Sequence, residues 1–268
     1  MKITEILVES LKLMKKEPKL FIPRFITTAL YSVVLLYTAK LTAEMVNATG
    51  FPGAAAAPDP QVISSLLGGF FILIFSVMML LFIDLFSYAM YPILIRDYYH
   101  GAKTNLVKSF KEAFGAWKMI LVLWVLIVLF STILGMILVV FQTLTEQTGD
   151  NIYYLMAVGL ILLAVLFLLI GLFFVMPAAA IEKKGIIQTF KEGFNLSMKY
   201  KTDVIVINIF FIALTLLTLG IITYSEMKFS EDMALLAGLI FILTRIFEAV
   251  VYTYISVVNP YFYMKVAE

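Results

Sequence analysis

Ser109-Phe110-Lys111-Glu112-Ala113-Phe114 is the stretch on which the fold turns, because eighty residues later it occurs again as Thr189-Phe190-Lys191-Glu192-Gly193-Phe194. A fainter version, Ser10-Leu11-Lys12, lies near the N-terminus. Each copy belongs to an amphipathic segment, and each segment is followed by two long apolar runs. In the middle copy Leu106, Val107, Phe110, Ala113, Phe114 and Trp117 share one helical face, while Lys108, Lys111, Glu112 and Lys118 take the other. In the last copy Ile187, Phe190, Phe194 and Met198 are apolar, with Lys191, Glu192 and Lys199 beside them. Near the N-terminus Ile3, Ile6, Leu7, Leu11 and Met14 repeat with helical period, and Lys12, Lys15 and Lys16 lie off that stripe. Such segments are too charged to cross a bilayer and predict basic helices lying on its surface.

The apolar runs predict an all-α integral membrane protein. Of 268 residues, 62% are apolar and 14% charged, against about 45–50% and about 25% in soluble domains. A crossing needs roughly 20 mostly apolar residues, and six runs are candidates: 25–40 with an extension through Val46, 62–95, 119–142, 152–181, 204–224 and 233–258. The second is long enough, at about 51 Å as helix, that it must tilt or protrude. Pro92, Pro177 and Pro260 stand near the ends of every second run. The expected architecture is therefore one membrane domain of six transmembrane helices. It would be built as three repeats of interfacial helix plus hairpin, residues 1–100, 101–184 and 185–268. The segment 47–61, rich in Gly, Pro and Ala, reads as a loop.

Basic residues set the orientation. Of the 20 Lys and Arg, 17 fall in the N-terminal segment through Arg24, in 96–118, in 183–201 and in the tail. The loops on the other side hold only Lys228, with Lys40 close by. This predicts a multi-pass protein of the cell membrane with both termini cytoplasmic.

Little in the sequence points to catalysis. The chain has no cysteine and one histidine, His100, so disulfides and sulfur-ligated metals are excluded and any metal would depend on carboxylates. It carries no Gly-x-Ser-x-Gly elbow, no His-Glu-x-x-His and no phosphate-cradling glycine loop. The expectation is a non-enzyme with no cofactor, no metal and no nucleic-acid partner.

What remains are ionised groups inside apolar runs. Arg245 is near the middle of the sixth run, and Glu248 follows on the same face. Tyr252 continues that stripe, and Thr244 lies on it. In the second run Asp84 and Tyr88 form a weaker stripe, whereas the fourth run has Leu169 and Phe173 at matching places. An Arg facing lipid costs at least ~2.5–3.5 kcal/mol, so the second and sixth runs are expected to face each other or a shared cavity. Two roles fit: an ion-pair network that holds helices in register, or an interior polar site for an amphiphile or small solute. Lys108, Lys111, Lys118, Lys183, Lys184, Lys191, Lys199 and Lys201 would form a basic collar for anionic lipid heads. Asn208 and Asp203 read as capping or interfacial groups.

The layout resembles the membrane-domain superfamily found with some glycerophosphodiester phosphodiesterases and as stand-alone six-span prokaryotic proteins. The resemblance rests on the Ser109–Phe114 and Thr189–Phe194 segments and on the proline-ended runs, and it covers most of the chain. It implies six spans with interfacial helices ahead of hairpins. It brings no catalytic residues, because the phosphodiesterase chemistry of such fusions belongs to a separate domain. The functional expectation is a polytopic protein that binds or transports a lipid-like amphiphile or small solute. The alternative is a structural or regulatory subunit packed against a membrane-protein partner or a second copy.

Overall fold

The computed structural model describes residues 2–49, 60–182, 184–229 and 234–267. Among them there is no strand. The elements are α1 (Ile3–Lys16), a 3-10 turn (Pro18–Leu20), α2 (Phe21–Thr49), α3 (Pro60–Tyr99), α4 (Leu106–Gly115), α5 (Trp117–Thr148), α6 (Ile152–Gly171), α7 (Val175–Glu182), α8 (Ile186–Lys199), α9 (Lys201–Phe229) and α10 (Ala234–Ala267). Six segments are long and apolar enough to cross a membrane: α2, α3, α5, α6 with α7, α9 and α10. Their outward faces are bare hydrocarbon, with Phe71 73% and Leu163 67% exposed, a pattern that suits lipid and not water. The chain is a multi-pass membrane protein.

Local signals explain where the shorter helices begin and end. Asn105 caps α4, its side-chain oxygen accepting from Val107 N (3.0 Å) and Lys108 N (3.1 Å). Gly149 closes α5 in the left-handed conformation, φ 71°, where a side chain would be strained.

The prolines behave differently from the sequence expectation. Pro92 and Pro260 do not end their helices: α3 runs on to Tyr99 and α10 to Ala267. An interior proline costs about 3 kcal/mol. In hydrocarbon, however, leaving the helix would strand several further backbone groups, and continuing is cheaper. Only the fourth run breaks, at the turn Leu172–Phe174 between α6 and α7. Pro177 is the third residue of α7, where its missing N–H needs no helical partner. The freed groups are met from elsewhere: Ser197 Oγ accepts from Phe174 N at 3.2 Å, and Asn259 Nδ2 donates to Phe173 O at 2.7 Å.

The buried core lies at one end of the bundle. There the proline-bearing segments of α3, α7 and α10 meet, with Tyr91, Phe174 and Phe262 fully enclosed. Phe174 and Phe262 pack edge to face at 5.1 Å. The three short amphipathic helices seat on the same segments: α4 on α3, α8 on α7, and α1 on α10. Tyr254 and Tyr261 of α10 tie α1 down by donating to Leu7 O (3.1 Å) and Glu9 Oε2 (2.8 Å). Small residues make the seam of α4 and α8, where Ser109, Ala113, Thr189, Gly193 and Ser197 are buried, whereas α1 buries Ile6, Leu13 and Met14 beside Ser10. The large apolar side chains of α4 turn outward, with Val107 64%, Phe110 51% and Phe114 61% exposed. The motif therefore serves two surfaces, a small face against protein and an aromatic face toward lipid.

Candidate functional site

Polar residues at helical spacing on three spans converge on one cavity. On α10, Glu248 and Tyr252 stand one turn apart, and Ser256 follows at the next turn. On α3, Asp84 and Tyr88 are likewise one turn apart. On α2, Arg24, Thr27, Thr28 and Tyr31 fall on one face at i, i+3, i+4 and i+7. Together Arg24, Thr27, Thr28, Tyr31, Asp84, Glu248 and Tyr252 line a cavity of about 340 Å³.

Two guanidinium–carboxylate pairs govern its electrostatics. Arg24 pairs with Asp84, donates from Nε to Ser256 Oγ at 2.9 Å, and lies 5.8 Å over the Tyr88 ring. Ser256 Oγ in turn donates to Tyr252 O at 2.8 Å. Arg245 pairs with Glu248 at 2.7 Å and stacks over Phe241 at 5.2 Å. The Arg245 and Glu248 side chains are each 16% exposed, so neither points freely into lipid. Tyr91 donates to Leu20 O at 2.8 Å, which fixes the start of α2 and with it Arg24.

Of the six interior residues expected from the sequence, Asp84, Glu248 and Tyr252 line this cavity, and Arg245 adjoins it through Glu248. Tyr88 instead lies beneath Arg24 and lines a second cavity. Thr244 is buried and donates to its own helix at Phe241 O, 2.8 Å. Sequence reasoning missed Arg24, which it counted among the surface cations. The signal was present in the Arg24-Thr27-Thr28-Tyr31 stripe at the start of an apolar run.

The lysines divide. Lys108 bonds Asp97 Oδ2 at 2.7 Å, while Arg96 bridges Asp97 (3.0 Å) and Glu112 (3.1 Å). Lys184 makes the matching bridge between Glu182 (2.6 Å) and Glu192 (2.7 Å). The glutamate of each Phe-Lys-Glu copy is thus clamped through a cation to the acid at the end of the preceding helix. Hydrogen bonds from Lys184 and then Gln188 hold the Glu192 carboxyl at about 2, and hydrogen bonds to Glu182 and then Glu192 raise Lys184. Lys118 lies over Trp117 (5.9 Å) and Lys199 over Tyr200 (5.4 Å). Lys111, Lys191 and Lys201 are exposed, and Lys183 lies outside the described residues. Lys111, Lys118 and Lys184 share a cleft of about 460 Å³ between α4 and the start of α8.

Asn208 corrects an expectation. It is not a cap but a buried residue two turns inside α9, donating to Val204 O at 3.0 Å and lining the second cavity. His100 is exposed, its Nδ1 2.8 Å from Arg96 O. Among the described residues no cluster of His, Asp and Glu is placed to hold a metal ion. No protein-family model, no curated protein and no solved structure matches the chain. No residue role is therefore carried over from a relative.

Proposed function

We propose that this is a non-enzymatic membrane protein that binds and moves an amphiphile or small polar solute at the cavity between α2, α3 and α10. One observation carries the reading: the Arg24–Asp84 and Arg245–Glu248 pairs do not pack against one another but border about 340 Å³ of open space. Arg24 and Arg245 are balanced by Asp84 and Glu248. A wall of both signs offers little to a lone ion and matches a zwitterionic or neutral polar group, whose charges find opposite partners a few ångströms apart.

Three repeats closed into a ring are part of this reading. What supports them is that in sequence order α4 and α8 each seat on the span that precedes them, and α1 seats on the last. The ring keeps ionised groups inside units one and three, while unit two offers Leu169 and Phe173 there. The basic end is taken as cytoplasmic. Lys111, Lys118, Lys191, Lys199 and Lys201 would gather anionic lipid of the cell membrane at about 1 kcal/mol each, whereas Lys108 and Lys184 are already committed to carboxylates.

The test is reconstitution into vesicles of phosphatidylethanolamine and phosphatidylglycerol, with flipping of a fluorescent phosphatidylethanolamine as readout. Removing both charges with R245Q/E248Q is expected to slow flipping by about tenfold or more, the worth of a charge-assisted hydrogen bond, in protein that still melts normally. Equal rates for wild type and variant would sink the reading. Should the variant instead drop out of a complex with another membrane protein, the subunit role takes its place.

A further inference from the structure

The wall of the polar cavity is more acidic than its two ion pairs suggest. Arg24, Asp84 and Glu248 line the space, whereas Arg245 stands behind Glu248 and is not part of the lining. Arg24 is already committed, with Nε donating to Ser256 Oγ and Nη1 to Asp84 Oδ1. A carboxylate can accept about four hydrogen bonds, so the two acids keep capacity that one committed guanidinium does not fill. The hydroxyls of Thr28, Tyr31 and Tyr252 supply further acceptors along the same wall.

The two carboxylates also converge on one region. Tyr31 stands two turns beyond Arg24 along α2, about 10 Å by helical rise. Its hydroxyl lies within electrostatic reach of Asp84 and Glu248 alike, and the Tyr252 hydroxyl within reach of both acids and both guanidinium groups. A cation held beside Tyr31 therefore lies between two carboxylates. Arg24 remains at the other end of the cavity for an anionic group. The volume of about 340 Å³ is at the small end of the roughly 300–1,000 Å³ found for ligand pockets and suits a headgroup better than an acyl chain.

We infer that this cavity selects a zwitterion whose cation is a primary ammonium, as in an aminoethyl phosphate group. The inference rests on the binding role proposed above for this cavity and names its ligand class. The ammonium donates its N–H groups to Asp84 and Glu248, and the phosphate turns toward Arg24. A quaternary ammonium has no N–H to give and is held instead by a cage of aromatic faces. Here Tyr31 and Tyr252 are the aromatic residues of the lining, and the remainder are threonines and charged groups.

The test titrates the purified full chain in detergent with dihexanoyl phosphatidylethanolamine and dihexanoyl phosphatidylcholine, reading the rise in melting temperature with ligand concentration. Both lipids carry the same net charge, so the surface lysines treat them alike. The ethanolamine lipid is expected to bind about tenfold or more tighter, the worth of a hydrogen bond to a charged group. Tyr31→Phe removes one acceptor without changing a charge and should narrow that gap, and R245Q/E248Q should close it. A parallel titration with free aminoethyl phosphate separates two sources of the ligand. Affinity equal to that of the lipid assigns the site to a soluble zwitterion, affinity for the lipid alone assigns it to a headgroup, and both uphold ammonium selection. Equal affinity for the ethanolamine and choline lipids overturns the inference yet leaves the cavity a binding site. A preference unchanged in both variants arises elsewhere on the protein and overturns it as well. Binding of neither lipid, with no flipping in vesicles, removes the proposed function and the inference together.

Discussion

Arg24 is the residue on which the polar cavity depends, since it touches α3 through Asp84 and α10 through Ser256. The Arg24 and Asp84 side chains are 13% and 26% exposed, so the pair is largely out of solvent and removing one partner strands the other. Arg24→Met is expected to destabilise the protein by about 3 kcal/mol, the low end for a broken buried pair, because Asp84 keeps some exposure. The double variant Arg24→Met/Asp84→Leu should recover much of that loss in a denaturation series, since no unmatched charge remains. Equal destabilisation by single and double variants would show that the two do not act as a unit. At this scale the sequence was only half legible. Arg245 and Glu248 declare themselves by standing in the middle of an apolar run, whereas Arg24 stands beside a basic segment and looks like part of it. What distinguishes it is a partner sixty residues away, and a single chain read in order contains no such distance.

The repeated Phe-Lys-Glu helices are explained by what their small residues touch. A Cβ on Gly193 would lie 2.7 Å from Val175 Cα and 2.9 Å from its N, contacts that only backbone movement relieves. Gly193→Ala should cost roughly 1–3 kcal/mol, as overpacking does. Gly115→Ala in α4 meets nothing within 4 Å and should be neutral or stabilising by up to ~1 kcal/mol. Thermal melts of the two variants side by side make the check. The clamp on α8 carries a pH signature. Glu192 titrates at about 2 against an ordinary 4.5, held down first by the hydrogen bond from Lys184. A depressed carboxyl contributes stability that is present above pH 4.5 and lost as pH falls toward 2. Glu192 is exposed, so salt should weaken the effect. NMR titration of its carboxyl carbon is expected to show the low value in wild type and a return to the ordinary range in Lys184→Met. The amphipathic periodicity of these helices was plain from sequence. Which face met protein was not, because in a membrane an apolar face has two suitable partners, and in α4 Val107, Phe110 and Phe114 stay exposed while Ser109 and Ala113 pack inward.

For the whole molecule, six candidate crossings follow from length and composition, and the proposed orientation rests on where the lysines lie. The lack of native cysteine makes accessibility a clean measurement, since any introduced thiol is unique. Lys111→Cys and Lys191→Cys should resist a membrane-impermeant maleimide in intact cells and react once the membrane is opened. Thr148→Cys, exposed at the opposite end of α5, should react at once. The reverse pattern would invert the protein and put its basic collar against the wrong leaflet.

By itself the sequence determined that the chain is a multi-pass membrane protein, that six segments are long and apolar enough to cross, and that the short helices between them are amphipathic. Those outcomes depend on summed hydrophobicity and period, which are local properties. Only the tertiary structure decided that the fourth span breaks while Pro92 and Pro260 leave theirs continuous, that Arg24 completes the polar cavity, and that Asn259 meets the broken backbone at Phe173. These depend on which polar groups meet across helices. In lipid nothing but such meetings, and the fit of small residues, holds one helix to another.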